Sequence, residues 1–177
     1  LCPKCKVGGL ACLADHYECD NVSCKSEFIS FNNCPVLIDF SKSLIKSDDF
    51  LKFGGESVVM RRKLLFQDLI SVLINGFGLK TKTNINLCLS ISGSDKVRVL
   101  IVGGGTKGSG TQLLYGNERI DLSALDIYYS SNITVIADAH DLPYHDKSFD
   151  LVIVQAVLEH VLDPKRVIDE CYRVLSD

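Results

Sequence analysis

The sequence predicts an α/β protein, a largely parallel sheet preceded by a small separate module built around cysteines. Three observations predict it. Five of the eight cysteines fall within residues 1–24, so thiols set the N-terminus apart from the rest of the chain. Short β-branched apolar runs recur from Val97 onward, each ending at glycine or polar residues, as strands buried on both faces do. Between the runs the pattern changes to turn residues or helical periodicity, the alternation that produces parallel strands with crossovers.

Bulk properties narrow the classes. At 177 residues and 46% hydrophobic, the chain can bury one good core, or a small module plus most of a larger one. A formal net charge of -3 supplies no basic field that would draw it to phosphate backbones or anionic membranes, so nucleic acid is not supported as a partner. No apolar run approaches the roughly 20 residues needed to span a bilayer, and no signal-peptide pattern is visible. A soluble, cytoplasmic protein is expected, with room for an upstream segment because the chain opens on Leu1.

Residues 1–40 form the first unit. Cys2-Pro3-Lys4-Cys5 and the pair Cys19 and Cys24 have the spacing of a zinc ribbon. Each pair sits on a tight turn that can aim two thiolates at one point, and four thiolates satisfy the tetrahedral preference of Zn²⁺. The metal would replace a core that so short a segment cannot build. Two disulfides are the alternative pairing, disfavoured without secretory features. Cys12 reads as a small apolar filler and His16 as a surface residue, while Cys34, Cys88 and Cys171 read as buried thiols.

Residues 41–96 read as a linker and a helix. Ser41 to Gly55 is rich in Ser, Lys and Asp and ends on Gly54-Gly55. Val59, Phe66, Ile70 and Leu73 then recur at helical spacing beside Val58, Leu65, Leu69 and Val72, with Asn75-Gly76 as a stop. Arg61-Arg62-Lys63 reads as a solvated face of that helix.

Residues 97–177 carry the sheet. Strands are expected at Val97–Val102, Leu122–Asp126, Ile133–Ala137 and Phe149–Val154. Asp163-Pro164 starts a helix, Asp as N-cap and Pro in the first turn, with Val167, Ile168, Cys171, Val174 and Leu175 as its apolar face. The run Gly103-Gly104-Gly105-Thr106-Lys107-Gly108 follows a strand directly and precedes a short helix, the context of a nucleotide site. About 20 residues on, Asp126 ends the next strand, where an acid can accept hydrogen bonds from ribose hydroxyls. The run also fits G-x-G-x-x-G, so NAD(H) competes as a ligand on these residues alone.

Two resemblances add to this reading. Val135-Ile136-Ala137-Asp138-Ala139-His140-Asp141-Leu142-Pro143, followed by Ser148-Phe149-Asp150-Leu151-Val152-Ile153-Val154-Gln155, resembles the class I methyltransferases, especially the type 11 group, over roughly residues 97–177. It implies a Rossmann-like methyltransferase sheet with S-adenosylmethionine as cofactor. By that resemblance Gly103, Gly105 and Thr106 belong to the turn beneath the cofactor and Asp126 holds the ribose. Asp138 meets the adenine amine, Ala139 lines the adenine, and Gln155 lies near the methionine part. The sequence departs from the family at Ile101, where an acid is usual, and at Lys107, where a glycine is usual. Residues 1–40 resemble the Trm112-like zinc ribbons, with Pro35-Val36-Leu37-Ile38 as the following strand, which implies an architectural or partner-binding module. Three lysines against five acids there are a poor match for nucleic acid.

These features imply methyl transfer to an unidentified acceptor. The alternatives are a noncatalytic zinc-ribbon interaction protein with a degenerate methyltransferase fold, an rRNA methyltransferase, and an NAD-dependent enzyme. His160 is the candidate general base, with bracing of its loop as the more ordinary role. The family orders its sheet 3-2-1-4-5-7-6, so a chain stopping at Asp177 is expected to be C-terminally truncated. Its fourth strand is then an unprotected edge, and the fragment is expected to self-associate and to be weakly active.

Overall fold

The structure, a computed structural model, describes residues 1–43, 45–47, 78–91 and 95–177. The helix expected around Val59–Leu73, its stop at Asn75-Gly76, the Arg61–Lys63 run and most of the Ser41–Gly55 linker lie outside these residues.

The N-terminal residues form a four-stranded antiparallel sheet in sequential order: β1 (Leu10–Cys12), β2 (His16–Cys19), β3 (Glu27–Phe31) and β4 (Cys34–Pro35). Phe31 pairs with Cys34 across a two-residue loop, and Asn32 and Asn33 both have positive φ (49° and 61°). That is the primed hairpin turn whose twist suits flanking strands, and asparagine tolerates it better than most side chains. The core of this sheet is thin. Its buried apolar side chains through Cys34 are Cys2, Pro3, Cys19, Phe28 and Cys34, three of the five being cysteines.

The second sheet is parallel, ordered β7-β6-β5-β8, with β5 at Val97–Val102, β6 at Ile120–Asp126, β7 at Val135–Ile136 and β8 at Leu151–Val154. Central β5 shows why its composition suits it: every residue except Arg98 is buried. Leu100 and Val102 pack one face with Leu125, Leu142 and helix α2 (Pro164–Val174); Val97, Val99 and Ile101 pack the other with Ile85 of helix α1 (Leu79–Ile91), Leu114 and Ala124. A strand covered on both faces must be apolar at every position, and this one nearly is.

Helix α2 begins as expected. The Asp163 carboxylate accepts the Arg166 N–H at 3.0 Å, Pro164 occupies the first turn, and Val167, Cys171 and Val174 are buried, whereas Ile168 is exposed. Strand β6 starts two residues earlier than expected, and β7 is confined to two residues because the chain turns away at Asp138, where Asp141 N–H closes onto the Asp138 carbonyl at 3.0 Å. Phe149 lies outside β8. It bridges Leu175 instead, donating to the Val174 carbonyl at 3.0 Å and accepting from Ser176 N–H at 2.7 Å. The residues after α2 thus cover the start of the β8 edge that was expected to be free.

Two thiol assignments need correction. Cys88 lies on α1 but is exposed, because α1 turns Ile85 to the core and leaves Cys88 outside. Cys12 is also exposed, since β1 is a sheet edge with only its first residue half covered. Cys34 and Cys171 are buried as expected.

The two sheets meet at β7. Val36 bridges Ile136 in parallel, Leu37 N–H donates to the Ile136 carbonyl at 2.8 Å, and Cys34, Val36, Ile38 and Ile136 form one buried cluster. The strand expected at Pro35–Ile38 is not formed as such: Pro35 ends β4, Val36 makes a single bridge, and Leu37 and Ile38 are irregular, yet this segment carries the module onto the parallel sheet. No helix of the described residues is long and apolar enough to cross a membrane.

Candidate functional site

In an open parallel sheet, ligands lie in the crevice outside the carboxyl ends of the strands, and the expected site residues stand there. The glycine turn leaves β5 sharply: Gly103 and Gly104 N–H both donate to the Leu125 carbonyl, at 2.9 and 2.8 Å. Gly103 sits at φ +84°, and a Cβ there would lie 2.2 Å from the Gln155 carbonyl oxygen. Glycine is thus required at 103 by the approach of β5's end to the residue after β8, whatever binds above it.

Asp126 closes the turn from the side. One carboxylate oxygen accepts the Gly105 N–H at 3.0 Å and the other the Ile127 N–H at 2.7 Å. The Gly105 carbonyl in turn accepts from Ser130 Oγ at 2.6 Å and Asn132 Nδ2 at 3.2 Å. Gln155 spans the turn, its Nε2 donating to the Thr106 carbonyl at 2.7 Å, while the Thr106 side chain is exposed. Gly103, Gly105, Thr106, Asp126 and Gln155 are therefore one hydrogen-bonded assembly. Lys107 points away, with its ammonium 4.5 Å above the Tyr115 ring. The short helix expected after the turn is clipped to a four-residue 3-10 turn, Thr111–Leu114.

Asp138 and Ala139 follow β7. Asp138 is buried, with one carboxylate oxygen accepting from the backbone N–H of His140 at 2.9 Å and lying 2.7 Å from its Nδ1, and the other accepting from Ser43 Oγ at 2.5 Å. Burial pushes this carboxyl up, but the Ser43 hydroxyl and the His140 donors outweigh it and hold the group below the usual carboxylate range. Ala139 is half-buried against the core. Beside them lies a polar cavity of about 240 Å³ lined by Asp39, Ser43, Asp138, His140, Asp163 and Arg166, where His140 Nε2 is buried without a hydrogen-bond partner among the described residues. Sequence reasoning missed Ser43 and His140 here. His140 sat inside the quoted motif, but Ser43 is 95 residues away and gave no signal. His160 is exposed, and its backbone N–H turns onto the Val157 carbonyl at 2.8 Å.

The four cysteines converge as their spacing requires. Cys2, Cys5, Cys19 and Cys24 bring their sulfurs within 4.8 Å of one another, with Cys2 to Cys24 at 3.9 Å and Cys5 to Cys19 at 3.6 Å. A regular tetrahedron with metal–sulfur bonds of about 2.3 Å has sulfurs about 3.8 Å apart, so the donor set fits one tetrahedral ion. Hydrogen bonds from the Gly8 and Val7 N–H groups lower the Cys5 thiol to about 6, and the Ser26 hydroxyl and N–H lower Cys24. Burial raises Cys2, and burial with the neighbouring sulfurs raises Cys19 to about 12. Like charges this close oppose full ionisation, which a bound cation would relieve. Cys12 and His16 are not in the cluster.

Comparison with known proteins bears on the parallel sheet. Residues 102–177 match a family described as "Methyltransferase domain". A demethylmenaquinone methyltransferase of Thermotoga maritima is 43% identical over 42 residues, 24% of this chain and 18% of that protein. Another, of Clavibacter sepedonicus, is 36% identical over 67 residues, 38% of this chain and 22% of that protein. The chain thus spans about a fifth of the length of these curated relatives. Among solved structures, an arsenic (III) S-adenosylmethionine methyltransferase of Chlamydomonas reinhardtii aligns at 28% identity with a TM-score of 0.36, covering 45% of this chain and 35% of that one. The family match begins at the last residue of β5 and takes in the glycine turn, Asp126, Asp138, Ala139, Gln155 and α2, and the cysteine module lies ahead of the matched residues.

Proposed function

We propose that the chain is part of an S-adenosylmethionine-dependent methyltransferase of unassigned acceptor, with one zinc ion held by Cys2, Cys5, Cys19 and Cys24. The observation that carries the reading is the family match over 102–177, because it falls on the residues gathered at the carboxyl ends of adjacent parallel strands. The bound cofactor supplies a methyl group on a positively charged sulfur, which leaves positioning and exclusion of water to the protein. Gly103 and Gly105 keep the turn low beneath the ligand. Asp126, anchored by Gly105 N–H, retains lone pairs for the ribose hydroxyls. Asp138, held ionised by its neighbours, accepts from the adenine amine, Ala139 lines the base, and Thr106 and Gln155 border the methionine end. The zinc module is architectural, joined to the sheet through Val36 and Leu37, and is the surface proposed to meet a protein partner.

The NAD reading loses support because the turn leads into a single 3-10 turn. Pyrophosphate capture by a G-x-G-x-x-G run relies on the free N–H groups of a following α-helix. A noncatalytic reading is favoured by one observation: Asp126 and Asp138 already accept protein hydrogen bonds. Binding of S-adenosylhomocysteine separates the two. Asp126→Ala is expected to weaken it by about 1–3 kcal/mol, the worth of a charge-assisted hydrogen bond. Asp126→Asn, which keeps an acceptor for Gly105, should fall between that variant and the parent, and Asp138→Ala should act more mildly than Asp126→Ala. Unchanged affinity in both alanine variants of a parent that binds would remove these residues from the cofactor site.

A further inference from the structure

Lys6 belongs to the cysteine module by sequence and to the parallel sheet by contact. It follows Cys5 directly, lies in the left-handed region at φ 58°, and its N–H closes the knuckle onto the Cys2 carbonyl at 3.0 Å. Its ammonium reaches 2.5 Å from Asp141 Oδ1, with the two side chains only 34% and 21% exposed. A lysine on a surface knuckle is ordinarily a solvated charge of little consequence. This one is drawn in against a carboxylate 135 positions later.

Asp141 is the closing residue of the turn that starts at Asp138, since its N–H donates to the Asp138 carbonyl. The next residue, Leu142, is fully buried in the cluster that contains Cys2 and Cys19, and its N–H donates to Glu170 at 2.8 Å. The turn carrying the adenine-reading acid is thus tied to the four-cysteine knuckle by an ion pair and by a shared core. Lys6 takes its direction from that knuckle, in which the Cys2 carbonyl accepts the Lys6 N–H and Cys5 Sγ accepts the Gly8 N–H at 3.3 Å.

We propose that Lys6 is a positioning residue that couples metal occupancy of the cysteine site to the Asp138–Leu142 turn, and through it to nucleotide binding. The nucleotide half rests on the cofactor reading above; the mechanical half does not. Without the ion the knuckle loses the geometry that aims Lys6, and the turn loses its tie to the module at Asp141. Linkage makes the effect reciprocal: whatever factor the metal adds to nucleotide affinity, the nucleotide adds to metal retention.

The test uses the whole chain, purified with its metal, and compares the parent with Lys6→Met, which keeps the alkyl stem and all four thiols, and with Lys6→Arg. Amide hydrogen exchange of residues 138–142, metal content and S-adenosylhomocysteine affinity are read for each. Lys6→Met should keep about one metal ion per chain, speed exchange in the turn, and weaken binding about fivefold or more, the lower range of allosteric couplings. Lys6→Arg should restore both. Chelating the parent should speed exchange in the turn at least as much as Lys6→Met does, because loss of the knuckle removes the shared core around Leu142 as well as the ion pair. Exchange in Lys6→Met equal to the parent's, with the metal retained in both, overturns the coupling. If the parent does not bind S-adenosylhomocysteine, the cofactor reading fails and the exchange comparison alone decides the role of Lys6.

Discussion

Replacing Cys2 and Cys5 together by serine is expected to abolish metal binding and to unfold the N-terminal sheet. The expectation follows from how little else holds that sheet. Its strands are two to five residues long, and Cys2, Cys19 and Cys34 make up most of its buried apolar side chains, with Phe28 the one large hydrocarbon. Structural zinc in small domains contributes about 10–16 kcal/mol of apparent binding free energy, far more than such a core can supply, and the binding energy is folding energy. With two thiolates gone, the remaining pair, Cys19 and Cys24, cannot complete a tetrahedron. Elemental analysis should fall from about one zinc per chain to near none, with loss of the sheet signal in the far ultraviolet. Zinc content unchanged by the double substitution would show that the metal sits elsewhere.

Gly103→Ala is expected to destabilise the parallel sheet by about 2–5 kcal/mol, combining about 1–2 for a side chain in the left-handed region with about 1–3 for overpacking. The new methyl would meet the Gln155 carbonyl oxygen at 2.2 Å and Val157 Cγ2 at 2.5 Å, and the first of these is backbone that no rotamer change can move. The ends of β5 and β8 would have to separate. Gly116→Ala is the control, because Gly116 also has positive φ (+71°) but nothing stands within 4 Å of its added Cβ. Denaturant unfolding of the two variants isolates the cost of the close approach. Equal losses at 103 and 116 would mean that conformation alone requires the glycine.

What could be read from the sequence was what is local. Strand β5 announces itself by an unbroken apolar run, and Asp163-Pro164 caps α2 through bonds three residues long. The cysteine cluster was legible because two tight turns preset each half of it. Helix α1 was missed. Its Thr81, Thr83, Asn84, Asn86 and Ser90 are poor helix formers, and only Ile85 is fixed in the core, so tertiary packing rather than propensity accounts for it. Among site residues, Gly103, Asp126 and Gln155 were found by motif, but the reason Gly103 must be glycine, the approach of Gln155 52 residues later, was not visible. Ser43 on Asp138 and Lys6 on Asp141 lay beyond any pattern in the sequence, because a hydroxyl and an amine on polar segments look the same whether solvated or paired across the fold.

The ligand that the crevice takes decides what the glycine turn and Asp126 are for. Calorimetric titration of the metal-loaded protein with S-adenosylhomocysteine, and separately with NADH, tests this on the same sample. Saturable binding of about one S-adenosylhomocysteine per chain, with no heat from NADH, is the predicted result. Saturable binding of NADH, or of neither ligand, would contradict the assignment of the glycine turn and Asp126 to an S-adenosyl cofactor.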